Sequence, residues 1–360
     1  MFVIDFKRVW TPFFSRLVLL RKVGLIVAAL TIGSIAYGKS SGQSSTWIPI
    51  FGSTSTYGFF MGAAYMRYPT TKFGSYFSVR GMATMHPFWN GGVSFHHWTP
   101  EGSIYRTDFT YSGWFDPYYG EGNATLPENR VNILFHYARF SQERLWGVTE
   151  NLFLGLFLEA RYREEREVLD SSQSQFFALE STPVGGLLLE YDSRDSRYNP
   201  QKGYYGLARW SWYPGSGSNL DTLAPFQQWE IETRRFQKIG IDSVWALRLA
   251  LGISDGDPSY LYRYSVGGPE LLRGFQKNRF RGKKYYGIQN EIRTPLKKYL
   301  SGVAFFEVGD VTDDQFSDIL ESYGVGLRFG LPPDHQMKVR LDVGFSRDQT
   351  AFSILFDHAF

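Results

Sequence analysis

The sequence predicts an all-β protein: a transmembrane antiparallel β-barrel of 16 strands, with the long loop between strands 11 and 12 folded inward. Three observations carry that reading. The 360 residues include 31 Phe, 23 Tyr, 10 Trp and 37 Gly, while charged residues reach only 20%. This composition excludes a disordered chain and argues against long helices, which these residue types form poorly. From residue 46 onward, apolar and polar residues alternate in segments of about ten, broken by Gly, Pro, Asn, Asp and Ser. That is the period of strands with one face toward lipid and the other toward an aqueous lumen. The connections between segments also alternate in length, as barrels spanning an outer membrane require.

The N-terminus reads as a targeting segment. Arg21-Lys22 precede an apolar run from Val23 to Ala36, and small residues at Ala36 and Gly38 flank Tyr37 before a Ser-rich stretch. A basic region, a short apolar core and a small-residue site make a secretory signal. Fourteen apolar residues fall short of the ~20 that a membrane-spanning helix needs. The expected division is therefore a signal peptide over 1–38, a short linker over 39–44 and an outer-membrane barrel over 45–360. Lys7, Arg8, Arg16, Arg21 and Lys22 stand against Asp5 alone in the first segment, so the net +3 of the chain becomes 33 basic against 34 acidic groups beyond it. No basic excess remains to attract nucleic acid. Cys is absent, which rules out disulfides, thiolate metal sites and a cysteine nucleophile. No later apolar stretch approaches spanning length, so any spanning must be done by strands, which a closed barrel permits.

Strands are expected near 45–51, 57–68, 75–85, 91–98, 103–112, 131–142, 150–162, 180–192, 203–213, 226–237, 242–253, 285–294, 301–309, 321–330, 336–346 and 351–360. The alternation is clearest toward the end: Met337, Val339, Leu341, Val343 and Phe345 interleave with Lys338, Arg340, Asp342 and Gly344. Short connections (69–74, 99–102, 238–241, 295–300, 331–335) are expected on the periplasmic side. Long ones (113–130, 163–179, 214–225, 254–284) are expected outside.

On the thirteenth strand, Phe305, Glu307 and Gly309 share one face. A carboxylate is costly toward lipid, so Glu307 should face the lumen. The long sixth loop carries Arg263, Arg273, Lys277, Arg279, Arg281, Lys283 and Lys284. Folded inward, Arg273 would pair with Glu307 and Gly274 would let the backbone approach the wall, while Glu291 and Arg293, flanking Gln289 on strand 12, would extend the network. The alternative is an exposed cationic loop against anionic lipopolysaccharide. Asp192, Arg194, Asp195, Asn199, Pro200 and Gly203 read as a periplasmic turn closed by Asx and Ser hydrogen bonds rather than as an acid pair or metal site. His96 and His97 point to opposite faces of a strand and so cannot hold one ion together. No G-x-S-x-G, H-E-x-x-H or P-loop occurs, so neither an enzyme nor a cofactor is expected.

The stretch from Gly267 and Gly268 through Leu272, Arg273, Gly274 and Phe275 resembles the loop-six motif of the BamA/TamA-type outer-membrane assembly superfamily, or bacterial surface-antigen family, with Leu272 where Val or Ile is common. Tyr191 to Tyr205 is similar to that family's turn between strands eight and nine. Phe305-Phe306-Glu307-Val308-Gly309 resembles its F-x-D-x-G pattern, with Glu for Asp, and Trp114 to Thr125 is a looser likeness. The terminal Phe360, with Phe356 and His358, resembles a β-signal, by which the barrel-assembly machinery would insert this chain. The resemblance implies a loop-six lock (Gly268, Leu272, Arg273, Gly274, Phe275), lumen partners (Glu307, Gly309, Glu291, Arg293) and a weak seam between the first and last strands.

The activity this implies is assembly or translocation of outer-membrane proteins or lipids, with outer-membrane lipids and lipopolysaccharide as surroundings. Members with that activity carry periplasmic POTRA domains, whereas about seven residues separate the expected cleavage site from the first strand here. A separate POTRA-bearing or periplasmic chain is one expectation. A passive barrel, either a plugged pore or a surface antigen, is the other.

Overall fold

A computed structural model describes residues 43–54, 58–69, 73–84, 88–168, 179–218, 221–332, 335–347, 349–356 and 360. The expected signal peptide and most of the linker lie outside the described residues, as does His358. The strands are β1 (Gln43–Thr54), β2 (Gly58–Pro69), β3 (Gly74–Thr84), β4 (Trp89–Trp98), β5 (Ser103–Tyr118), β6 (Val131–Gly147), β7 (Leu152–Val168), β8 (Leu179–Asp192), β9 (Gly203–Tyr213), β10 (Phe226–Ile239), β11 (Ser243–Asp255), β12 (Lys284–Lys297), β13 (Leu300–Thr312), β14 (Leu320–Gly330), β15 (Lys338–Phe345) and β16 (Thr350–Phe356). They form one sheet in which each strand pairs with its neighbours in sequence. Among the described residues no ladder joins β1 to β16. Two short ribbons, Ser216–Ser218 with Asp221–Leu223 and Tyr264–Val266 with Phe280–Gly282, stand in the long connections.

The solvation pattern is inverted relative to a soluble protein. Leu154, Leu156, Leu158, Ile231, Phe306 and Val325 are exposed, while Glu291, Glu307, Arg328, Arg340 and Asp342 are almost wholly buried. A sheet whose alternate residues meet lipid on one side and a hydrogen-bonded interior on the other produces this inversion. The interior is not uniformly polar, however. Trp98, Ile104, Leu145, Phe153, Phe157 and Leu188 pack together inside it as an apolar cluster.

Several strands run longer than their sequence signal. β5 continues to Tyr118, β6 to Gly147 and β7 to Val168, so the connections expected over 113–130 and 163–179 are shorter than they read. The extra ladder length is built from residues such as Asp116 and Arg163, whose polar side chains hide the strand period. Among the described residues the last strand runs to Phe356, and Phe360 does not continue an outward face. It is buried against Phe236 and Ala246, and its main-chain oxygen accepts from Arg293 Nη2 at 3.1 Å. An apolar ring gains more there than in a frayed strand end.

Candidate functional site: the loop-six latch

Between β11 and β12 the chain turns back into the interior and lays Leu271 to Phe275 against β12–β15. Leu272 adopts a left-handed φ of +59°, a conformation that costs a β-carbon-bearing residue about 1–3 kcal/mol. Burial offsets that cost, because Leu272 packs with Val266, Leu271, Phe275, Phe280, Val311 and Leu320 in a closed apolar cluster. The bend at Leu272 delivers the next peptide to the wall. Arg273 donates from its main-chain N–H to Glu307 Oε2 at 2.6 Å and from Nε to Glu307 Oε1 at 2.7 Å. Its Nη1 reaches Glu291 Oε2 at 2.8 Å and Asp342 Oδ2 at 3.3 Å, and its guanidinium lies 3.5 Å from the Phe305 ring centroid.

Two glycines make the backbone approach possible. A β-carbon at Gly274 would lie 2.4 Å from the carbonyl oxygen of Phe345, and one at Gly344 would lie 2.6 Å from that of Arg273. Loop and wall therefore meet main chain to main chain, an approach only glycine permits. Gly274 N–H also donates to Ser322 Oγ at 2.7 Å. Gly268, with φ +107°, sets up the preceding turn.

The charged network extends over four strands. Glu291 accepts from Arg293 Nε at 2.7 Å, and Glu307 accepts from Gln289 Nε2 at 2.6 Å. Arg328 donates to Asp342 Oδ1 at 2.5 Å. Arg340 Nη1 lies 3.5 Å from Asp342 Oδ2, and its Nη2 reaches Glu270 Oε1 at 3.1 Å. Four arginines and three buried carboxylates thus interlock, with Glu270 at the rim supplying a fourth negative charge. Buried ions survive only when paired and hydrogen-bonded in this way. Gly309 lies beside Leu272 on β13 without joining the ion pairs.

The rest of loop six is anchored on the opposite side. Arg281 Nη2 reaches Asp116 at 2.5 Å, and Arg279 donates to Thr125 through Oγ1 at 2.8 Å and its carbonyl at 2.6 Å. Asn278 donates to Asp116 at 2.8 Å, and Asn123 donates to Asp310 at 2.5 Å. The segment after β5 is therefore a clasp over loop six. Arg273, Arg279 and Arg281 are buried, so they do not present the exposed cationic face that anionic lipopolysaccharide would need.

The connection from β8 to β9 closes as a turn. Arg194 binds both oxygens of Asp192 at 2.8 and 2.9 Å, Asp195 Oδ1 accepts from the N–H of Gln201 at 2.9 Å, and Asn199 N–H donates to Ser196 Oγ at 3.1 Å. Pro200 is buried beside them. Gly203 has φ +105°, where a β-carbon would strike the carbonyl of Ser193. The turn also reaches across the interior, which its sequence gives no sign of. The Tyr198 ring lies 5.2 Å from Tyr68 on β2 and 6.4 Å from Tyr76 on β3. Arg197 covers Trp98 at 4.3 Å, and Ser196 Oγ donates to Gln336, just before β15, at 3.3 Å.

His97 contacts Ser75 at 2.8 Å, and His96 contacts Asp108 at 3.2 Å. Among the described residues no cluster of three metal-ligand side chains occurs. Sequence reasoning missed Asp342 and Arg328 as latch partners. The only signal for Asp342 was its place among three charges on the face opposite the apolar residues of the fifteenth strand; Arg328, on the fourteenth, had none.

A search of curated proteins returns no match to this sequence. Among solved structures, BamA from Haemophilus ducreyi lacking POTRA domains 1–3 aligns with a TM-score of 0.59 at 12% identity, over 89% of this chain and 70% of that one. CdiB from Escherichia coli aligns with a TM-score of 0.60 at 12% identity, over 89% of this chain and 63% of that one. CdiB from Acinetobacter baumannii gives 0.58 at 10%, over 89% and 61%. The chain spans less than two thirds of either CdiB, and at such identities the likeness speaks for the fold alone. The Omp85 superfamily domain matches residues 161–352, more than half of the chain, and encloses loop six, Glu307 and the turn at Asp192. The shared architecture and that match together place this chain in the Omp85 superfamily, as a β-barrel of the outer membrane.

Proposed function

We propose that this barrel assembles or translocates outer-membrane proteins, with loop six fixing the β12–β15 wall beside a seam between β1 and β16. The observation that supports this reading is the contrast across a few strands. β15 is pinned from inside by the Arg273–Gly274 peptide, whereas β16 has only the seven residues Thr350–Phe356 and no ladder to β1 among the described residues. A rigid wall next to unpaired strand edges offers main-chain donors and acceptors to an incoming strand. The periplasmic delivery of clients would fall to a separate POTRA-bearing chain. Depletion tests the proposal: levels of other outer-membrane barrels should fall, and unchanged levels would remove it. Affinity purification from detergent-solubilised outer membrane should recover the periplasmic partner.

A second reading, a passive plugged barrel, draws support from the interior contacts of loop six and the β8–β9 turn. Conductance in planar bilayers tests the filled interior that both readings share, since the intact chain should conduct poorly under either; only depletion distinguishes the two.

A further inference from the structure

Near the end of the sheet that carries the short turns, two arginines point outward rather than into the interior. On β10, Trp229, Ile231 and Arg235 are exposed in alternation with inward residues such as Gln228. Arg235 stands directly opposite Tyr204 on β9, its guanidinium 5.7 Å from that ring and 5.4 Å from Trp245. On β6, Arg144 stands opposite Tyr105, 5.2 Å from its ring and 5.0 Å from Trp146. The same construction, an outward arginine with a cross-strand tyrosine and a nearby tryptophan, thus occurs twice. Neither arginine pairs with a carboxylate among the described residues. The side-chain acceptor of Arg235 is Gln237 Oε1, at 2.8 Å.

A cation on the lipid face is costly at mid-membrane and tolerable near the headgroups. Lying against aromatic faces, a guanidinium keeps its N–H edge free for a planar or tetrahedral oxyanion. Arg235 also heads a groove of about 560 Å³ lined by Tyr191, Tyr204, Gly206, Thr233, Leu247 and Leu249. The groove is open because residue 206 lacks a side chain, and its walls are largely apolar.

We propose that Arg235 and this groove form a binding site for an anionic glycerophospholipid of the periplasmic leaflet. The headgroup phosphate sits on the Arg235 fork, and one acyl chain lies over Gly206 against Leu247 and Leu249. Arg144 repeats the headgroup contact without the groove. The site rests on the orientation in which the short turns face the periplasm. It does not depend on assembly activity, so failure of lipid binding and failure of the depletion experiment are separate results.

The test is native mass spectrometry of the full chain in non-ionic detergent, titrated with palmitoyl-oleoyl phosphatidylglycerol or with the matching phosphatidylethanolamine. The wild type should bind phosphatidylglycerol more tightly. Arg235→Gln should weaken that binding roughly tenfold, the scale of one charge-assisted hydrogen bond, and Arg347→Gln on an exposed loop should leave it unchanged. Gly206→Leu places a side chain in the groove, and its β-carbon meets nothing closer than 3.9 Å. It should weaken binding while Arg235 remains, which keeps the test alive if Arg235→Gln fails to fold. Equal affinity for the two lipids, or unchanged affinity in both Arg235→Gln and Gly206→Leu, would leave Arg235 as a cation merely reaching for water and overturn the site. So would an equal loss in Arg347→Gln.

Discussion

Arg273 holds both oxygens of Glu307, one through its main-chain N–H at 2.6 Å and one through Nε at 2.7 Å. A side-chain pair alone would leave the loop backbone free to slide. Because one donor is the peptide itself, the carboxylate fixes the position of the loop as well as its charge. Without Arg273, Glu307 keeps Gln289 as its remaining side-chain donor, and Glu291 and Asp342 each lose a cation. Removing one partner of a buried ion pair costs about 3–5 kcal/mol. Arg273→Ala should therefore lower the temperature at which the folded barrel loses its compact band on unboiled gels. Arg273→Lys, which keeps charge but not the fork, should fall between. Identical transition temperatures in all three would show that the latch does not stabilise the barrel.

Gly344 tests the same contact from the wall. A methyl group there lies 2.6 Å from the Arg273 carbonyl, so Gly344→Ala must push loop six away or bend β15. The expected loss is about 1–3 kcal/mol, the range of an overpacked site. Since both changes break one contact, the double variant should cost less than the sum of the two. A strictly additive cycle, read from the same melting bands, would mean that loop and wall are energetically independent.

The barrel was legible in the sequence because lipid imposes a period on every strand. Where lipid contact stops, the period fades: β5 runs on through Asp116 and Pro117 to Tyr118, residues that read as a loop but pair with β6. The Arg273–Glu307 contact was legible because burying a carboxylate demands a cation, and the motif supplied one at a flexible glycine. Arg328 and Asp342 were not, since their place depends on the register of β14 with β15, where Gly326 faces Asp342. Phe360 was read as part of an alternating strand, whereas it is buried against Phe236 and Ala246, a contact that alternation does not encode. The reach of Tyr198 to Tyr68 depends on curvature, and no local pattern encodes the curvature of a sheet.

At the loop-six surface, Asp257 contacts Lys283 at 2.8 Å, and that hydrogen bond, followed by the charge of Lys283, lowers its pKa below the ordinary carboxylate value of 3.8. A depressed carboxylate contributes stability that is present above its unfolded pKa and disappears as pH falls through the folded value. The contact should thus be intact at neutral pH and disappear in acid below about pH 4. Asp257 is largely exposed, so salt should weaken the effect. Hydrogen exchange of 257–263 should accelerate on acidification at low ionic strength, relative to the intrinsic rate, and do so less in molar salt. Equal pH dependence in Asp257→Asn would remove the assignment.

The β8–β9 turn meets the sheet on both sides of the edges of β1 and β16, which share no ladder among the described residues: Tyr198 on β2 and β3, and Ser196 at Gln336 before β15. It starts from strands halfway along a sheet of sixteen, so it ties the two ends of the sheet to a common point. Tyr198→Ala removes two ring contacts, worth about 0.5–1.5 kcal/mol each beyond buried area, while leaving the turn closed by Asp192, Arg194 and Asp195. The variant should keep its latch, melt somewhat earlier and conduct more in planar bilayers, because the turn no longer fills the space beneath Tyr68 and Tyr76. Tyr198→Phe, which retains the ring, should behave as the wild type. If Ala and Phe raise conductance alike, the hydroxyl rather than the ring holds the turn. If neither does, the turn does not restrict passage and loop six alone fills the barrel.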